Sequence, residues 1–141
     1  MTGILALLAA LALAGIAVVL LRWKNGRFSA ATPTPAADPT RLTVADIGAP
    51  LGERATLVQF SSAFCSPCRA TRVLLADVAG KVDGVVAVDI DAEAHLELVR
   101  RLDVMRTPTV LVLDGTGAVV TRASGLPRRE QVLAALGHAI V

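Results

Sequence analysis

The sequence predicts an α/β domain that follows a single membrane-spanning helix. Three observations lead to this prediction: an uncharged apolar run near the start, a stretch rich in Pro, Ala and Thr, and a later alternation of strand-like and helix-like segments. We therefore divide the chain into a transmembrane anchor with a basic flank (1–27), a linker (28–41) and an α/β domain (42–141).

The membrane anchor is predicted from residues 2–21, which read TGILALLAALALAGIAVVLL and contain no charged side chain. At about 1.5 Å of rise per residue, a helix of this length crosses a hydrocarbon core of roughly 30 Å. A cleaved signal peptide has a basic start and a shorter apolar core, and a buried helix of a soluble domain usually keeps a polar face. We therefore expect a retained single-pass anchor in the lipid bilayer of the cell membrane.

The basic segment RWKNGR, residues 22–27, predicts the orientation of this anchor. Arg22, Lys24 and Arg27 follow the apolar run directly, and Trp23 is typical of a membrane interface. Since basic residues near helix ends are enriched on the inner side, we expect the residues after the helix to lie in the cytoplasm.

The net charge of residues 41–141 argues against a nucleic-acid partner. From Arg41 to the end the chain carries eleven basic and eleven acidic residues, so the formal net charge of +2 arises in the preceding segment. A domain without a basic excess does not favour nucleic-acid binding. We therefore predict no nucleic-acid partner.

The linker and the domain are predicted element by element. Pro33, Pro35 and Pro39 favour extended chain in the linker. Apolar β-rich runs predict strands at Ala55–Phe60, Gly84–Ile90, Thr109–Asp114 and Ala118–Ala123. Helical spacing predicts helices at Pro67–Gly80, Ala92–Leu102 and Pro127–Ile140, and one further short helix fits within Leu42–Pro50.

These elements follow the order β-α-β-α-β-β-α, with residues 115–117 turning between the last two strands. Helices are expected on both faces of the sheet. The run Gly84–Ile90 is typical of a buried strand, and Leu96, Val99 and Leu102 are expected to face the core.

Chemistry is concentrated in AFCSPCRAT, residues 63–71, which contains the only two cysteines of the chain. Cys65 would lie at the start of a helix, where unpaired N–H groups and the helix dipole stabilise a thiolate and lower its pKa. Cys68, one turn later, could then attack a mixed disulfide formed by Cys65. Pro67 is tolerated in a first helical turn.

Other uses of the pair are weighed against this redox interpretation. A structural zinc site needs two more ligands, and only His95 and His138 could join the cysteines. A copper- or zinc-binding module, a static disulfide, an incidental pair and a non-catalytic interaction module remain alternatives. We predict no metal and no cofactor.

Three segments together resemble a thioredoxin-family domain over Thr56–Leu136: LVQFSSAFCSPCRATRVLLADVA, VVAVDIDAEAHLELVRRLDVMRTPTVLVLDGTGAVV and ASGLPRREQVLAAL. The shared features are a strand followed by C-x-P-C and a helix, a strand ending in an acidic residue, a Thr-Pro before a strand, and Gly125 after the hairpin. The resemblance implies a thioredoxin-like fold, with a central mixed sheet flanked by helices.

The resemblance also implies roles for individual residues. Cys65 would be the attacking thiolate and Cys68 the resolving thiol, within a loop that includes Phe64, Ser66 and Pro67. The Thr107–Pro108 peptide would be cis, as is common only before proline, and would offer backbone groups to the substrate.

The chain departs from the usual family pattern at several of these positions. Ser66 stands where thioredoxins usually have glycine, and Phe64 and Ser61 stand where tryptophans are common. Gln59 and Ala87 occupy the positions of a buried aspartate and a nearby lysine. Since Gln59 cannot ionise, proton transfer at Cys68 is expected to need water.

Together these observations predict a membrane-tethered thiol–disulfide oxidoreductase that reduces disulfides of protein substrates. A thiol reductase or a low-molecular-weight thiol would supply its electrons. An outward-facing reductant for cytochrome c maturation is the alternative with the same chemistry and the opposite topology.

Overall fold

The computed structural model describes residues 2–24, 28–30 and 40–141. Its elements in chain order are α1 (Thr2–Lys24), β1 (Phe28–Ala30), α2 (Val44–Ile47), β2 (Ala55–Ser61), α3 (Ser66–Ala79), β3 (Val85–Asp91), α4 (Leu96–Arg101), β4 (Thr109–Asp114), β5 (Val119–Ser124) and α5 (Arg129–Ala139). Every predicted strand and helix of the domain is present, including the short helix within Leu42–Pro50.

The described strands form one mixed sheet in the order β1-β5-β4-β2-β3. β2 and β3 are parallel, and the other neighbours are antiparallel. In this register Phe60 pairs with both Ile90 and Thr109. One end of the sheet therefore brings together the carboxyl ends of β2 and β3 and the start of β4. The candidate site lies at this end.

Two apolar layers cover the two faces of the sheet, as expected. One contains Phe60 and Leu111 from the sheet, packed with Leu98 and Leu102 from the α4 region. The other packs α3 and α5 against the sheet through Leu57, Val112, Leu75, Val132 and Leu136. All seven residues of β2 are buried, so the strand that leads into the cysteine loop is the most enclosed element of the domain.

The strand predicted at Gly84–Ile90 is present, but the prediction that it is buried is wrong. β3 lies at an edge of the sheet formed by the described strands, and only Val85 and Ile90 are buried within it. Val86 is exposed. The run of apolar residues indicates a strand, but it does not distinguish a central position from an edge.

The helix predicted at Ala92–Leu102 begins later than predicted, and one of its three predicted core residues is exposed. A turn precedes it, in which the Asp91 side chain accepts a hydrogen bond from the Glu93 backbone at 2.9 Å. α4 starts at Leu96, which is 52% exposed, so its predicted inward position is wrong. Leu102 is buried and Val99 is half-buried, as predicted, and Leu98 is buried in place of Leu96.

The first residues of the predicted linker 28–41 form a strand that was not predicted. Phe28–Ala30 forms β1, which pairs antiparallel with β5, with Phe28 opposite Ala123. The outer side of β5 offers backbone donors and acceptors that an adjacent segment can pair with. Residues 31–39, with Pro33, Pro35 and Pro39, lie outside the described residues.

α1 stands apart from both apolar layers, because every residue from Gly3 to Lys24 is exposed. It is one helix that is long and apolar enough to cross a membrane, and a signal sequence near an N-terminus would satisfy the same criteria. Arg22 and Lys24 lie in its last turn, and Arg27 lies outside the described residues.

Candidate active site

Cys65 and Cys68 lie at the start of α3 and form a disulfide, with their Cα atoms 5.3 Å apart. Cys65 is the N-cap residue, and its side chain makes no capping hydrogen bond. Pro67 lies in the first turn, as predicted. Cys65 is half-buried, whereas Cys68 is 2% exposed. The protein therefore offers one cysteine of the pair to other molecules and encloses the other.

The remaining residues of the cysteine loop are open to solvent. Ser66, Pro67 and Arg69 are exposed, and Phe64 has its ring completely exposed. An exposed aromatic ring next to a reachable sulfur provides apolar contact area for an approaching chain.

The Thr107–Pro108 peptide bond is cis, which confirms the expectation drawn from the family resemblance. The hydroxyl groups of Ser62 and Thr107 share a hydrogen bond of 3.0 Å, which ties this loop to the loop that contains Cys65. Pro108 is buried, and its carbonyl accepts a hydrogen bond of 2.7 Å from the Gly125 backbone.

Gly125, one of the features that carry the family resemblance, also has a structural role. Its φ angle is 94°, which lies in the region that favours glycine. In this conformation its N–H reaches the Pro108 carbonyl and holds the loop against the end of β5.

Gln59 connects the sheet to the buried cysteine. Its side chain is 1% exposed, and its Nε2 donates a hydrogen bond of 2.8 Å to the backbone carbonyl of Cys68. Because a carbonyl can only accept, this contact sets the orientation of the amide. The other amide atom, Oε1, is buried and has no hydrogen-bond partner among the described residues.

Gln59 also lines a cavity of about 200 Å³ between β2, β3 and α3. Ala87 lies on its wall, together with Arg72 and Asp89. The Asp89 carboxylate accepts hydrogen bonds from Ser61 Oγ at 3.0 Å and from Arg72 Nη2 at 2.7 Å. The residue opposite Gln59 on β3 is Asp89, so the two side chains face the same side of the sheet.

Asp89 and Arg72 were not predicted as site residues. Two signals in the sequence pointed to them: Arg72 follows Cys68 by four residues on a predicted helix, and Asp89 is an acidic residue inside a predicted strand. The register between β2 and β3 was needed to connect them. Among the described residues no group of three or more His, Cys, Asp or Glu side chains is placed to hold a metal ion.

Comparison with known structures supports the fold. A thioredoxin from Halobacterium salinarum aligns with a TM-score of 0.58 at 18% identity, covering 63% of this chain and 77% of the other. Fasciola hepatica thioredoxin aligns with a TM-score of 0.55 at 22% identity, covering 62% and 83%. At these identities the likeness establishes a thioredoxin-like fold and nothing finer.

Sequence comparison identifies the family. Rice thioredoxin H5 is 30% identical over 93 residues, which span 66% of this chain and 65% of the rice protein. A thioredoxin of Alicyclobacillus acidocaldarius is 28% identical over 90 residues, spanning 63% of this chain and 85% of that protein. The thioredoxin family model matches residues 45–137, in agreement with the resemblance seen over Thr56–Leu136, and the chain belongs to the thioredoxin family.

Proposed function

We propose that this protein is a membrane-tethered thiol–disulfide oxidoreductase that reduces disulfide bonds of partner proteins. The observation that supports this most is the unequal burial of the two cysteines at the start of α3. Cys65 is reachable from solvent, while Cys68 is enclosed one turn later. This arrangement suits a first step with an outside disulfide and a second step inside the protein.

In the proposed cycle the Cys65 thiolate attacks one sulfur of the partner disulfide, and the other partner sulfur leaves with the electron pair of the broken bond. Cys68 then loses its proton and attacks Cys65 Sγ. This forms the intramolecular disulfide and releases the second partner sulfur. Two electrons pass to the partner, and two partner thiols result. A thiol reductase or a low-molecular-weight thiol then reduces the Cys65–Cys68 bond.

We assign substrate contact to the surface around Cys65. The ring of Phe64, together with Ser66 and Pro67, would lie against the partner on one side. The Thr107–Pro108 loop would lie on the other, where the Ser62–Thr107 hydrogen bond holds it near the cysteine loop. Such a surface fits an extended polypeptide that presents a disulfide.

The tether is assigned to α1, supported by its length and apolar composition. The basic residues that follow the apolar run favour a cytoplasmic position for residues 42–141. A cytoplasmic position would favour reduction of membrane-associated partners, since the cytoplasm keeps thiols reduced.

Trapping in cells tests the proposed roles of the two cysteines. The Cys68→Ser variant should accumulate a mixed disulfide between Cys65 and its partner, which non-reducing electrophoresis separates and mass spectrometry identifies. Cys65→Ser is the matched control and should trap nothing. Equal trapping by both variants, or trapping through Cys68 alone, would contradict the assignment.

A further inference from the structure

The cavity beside Gln59 lies along the face of α3 that carries Cys68, although Cys68 is not one of its lining residues. Arg72, on its wall, follows Cys68 by four residues in α3, so the two side chains are neighbours on one side of the helix. Gln59 forms the opposite wall and is itself hydrogen-bonded to the Cys68 carbonyl. The cavity of about 200 Å³ has room for more than one water molecule.

Two side chains that can accept hydrogen bonds from water line this cavity. One is Gln59, whose Oε1 is buried. The other is the carboxylate of Asp89, an exposed residue on which the hydrogen bonds from Ser61 and Arg72 both end at Oδ2. A buried amide oxygen is costly unless it accepts a hydrogen bond, and ordered water is the usual solution. Acceptors on two walls of one cavity suit a bridging water chain.

We propose that this cavity is a water-filled proton exit for Cys68 and that Asp89 receives the proton at its outer end. The inference rests on the proposed cycle, in which Cys68 is the resolving thiol. Asp89 acts through the intervening water, as the carboxylate that finally accepts the proton, and it does not contact the reacting sulfur.

The proposed step is balanced within the thiol–disulfide exchange. The Cys68 Sγ–H bond breaks, its proton enters the cavity water, and its electron pair forms the bond to Cys65 Sγ. The bond between Cys65 and the partner sulfur breaks at the same time, and its electrons leave with that sulfur. Asp89 takes the proton and returns it to solvent, since its side chain is 29% exposed. The released partner thiolate gains a proton from solvent.

The fixed position of the carboxylate supports this role. Arg72 and Ser61 both donate to Oδ2, so neither of these hydrogen bonds occupies Oδ1. The Arg72 side chain is 53% exposed, and an ion pair this open to solvent contributes little to folding. Replacing Asp89 should therefore preserve the fold while removing the proton acceptor.

The two steps can be timed separately with the full-length chain in detergent micelles. Reduced protein is mixed rapidly with excess 5,5′-dithiobis(2-nitrobenzoic acid), a coloured aromatic disulfide. The first thiol released reports attack by Cys65, and the second reports attack by Cys68. Asp89→Asn should slow the second release about tenfold or more near neutral pH and leave the first unchanged. The second rate of the variant should also rise more steeply with pH.

Two further variants serve as controls. Asp89→Glu keeps a carboxylate and should recover most of the second rate. Asp91→Asn removes a carboxylate from the end of the same strand, where it bonds the Glu93 backbone and does not line the cavity. It should leave both releases unchanged.

The outcomes separate this inference from the proposed function. If Asp89→Asn and the unmodified chain give the same second rate and pH profile, or if both releases slow equally, the proton exit is refuted and the cysteine cycle stands. If the unmodified chain releases no thiol, or only one, the cycle itself is contradicted and the inference falls with it.

Discussion

At the scale of single residues, the two cysteines differ mainly in burial. Cys65 is half-buried and Cys68 is 2% exposed. Alkylating reagents need both a thiolate and access to it. In the reduced protein we therefore expect iodoacetamide to modify Cys65 at least about tenfold faster than Cys68. Timed quenching followed by mass spectrometry of the peptides measures both rates, and equal rates would contradict the proposed division of roles.

A second prediction at this scale concerns Gly125, whose φ of 94° disfavours any side chain. Gly125→Ala should lower the free energy of unfolding by about 1–2 kcal/mol, because a residue with a Cβ is strained in left-handed backbone. Urea denaturation of the full chain in micelles measures the change.

Gly137→Ala is the matched control for that substitution. Gly137 lies in α5, and a Cβ there would meet nothing within 4 Å. Since alanine favours a helix interior more than glycine does, this variant should be more stable by up to about 1 kcal/mol. A loss of stability in both variants would mean that the Gly125 result does not report its backbone conformation.

At the scale of the elements, α2 depends on a reciprocal pair of hydrogen bonds at its start. Thr43 Oγ1 accepts from the Asp46 backbone N–H at 3.3 Å, and Asp46 Oδ2 accepts from the Thr43 backbone N–H at 2.8 Å. Asp46 Oδ1 also pairs with Arg101 at 2.9 Å, which links α2 to the end of α4. Partial burial opposes ionisation, but the Thr43 hydrogen bonds and Arg101 outweigh it and lower the pKa of Asp46.

A lowered pKa makes this contribution sensitive to acid. The carboxylate stabilises the fold fully above its ordinary pKa of 3.8, and the stabilisation is lost as the pH falls through the lower folded pKa. Asp46→Asn should cost about 1 kcal/mol near neutral pH, and the difference from the unmodified chain should shrink below the ordinary pKa. Urea denaturation at several pH values measures this. Asp83→Asn, at an exposed position, is the matched control and should change the free energy of unfolding little near neutral pH.

The elements also show how far the sequence can predict this structure. The strands and helices were predicted because their apolar spacing is local, and the cysteine loop was predicted because its motif is contiguous. β1 was not predicted, since its pairing with β5 depends on a distant edge of the sheet. The predicted inward position of Leu96 is wrong because the turn at Asp91–Glu93 shifts the start of the helix. Asp89 became part of the site only through the register that places it opposite Gln59.

At the scale of the whole molecule, the basic residues after the apolar run predict which side of the membrane the cysteines face. A membrane-impermeant maleimide added to intact cells should leave Cys65 unlabelled, and labelling should appear once the membrane is opened. The Cys65→Ser variant controls for reaction elsewhere. Labelling in intact cells would instead place residues 42–141 outside and favour the outward-facing reductant.

The central claim of the proposed function is that the cysteine pair transfers two electrons to a partner disulfide in each cycle. In the most direct test, insulin, a protein with disulfides, is mixed with the reduced full-length chain in micelles. The thiols are then blocked, and mass spectrometry follows both proteins. Each chain that gains the Cys65–Cys68 bond should leave two new thiols on insulin, and Cys65→Ser should leave insulin unchanged. Insulin that stays oxidised, or that is reduced equally by Cys65→Ser, would contradict the proposed function.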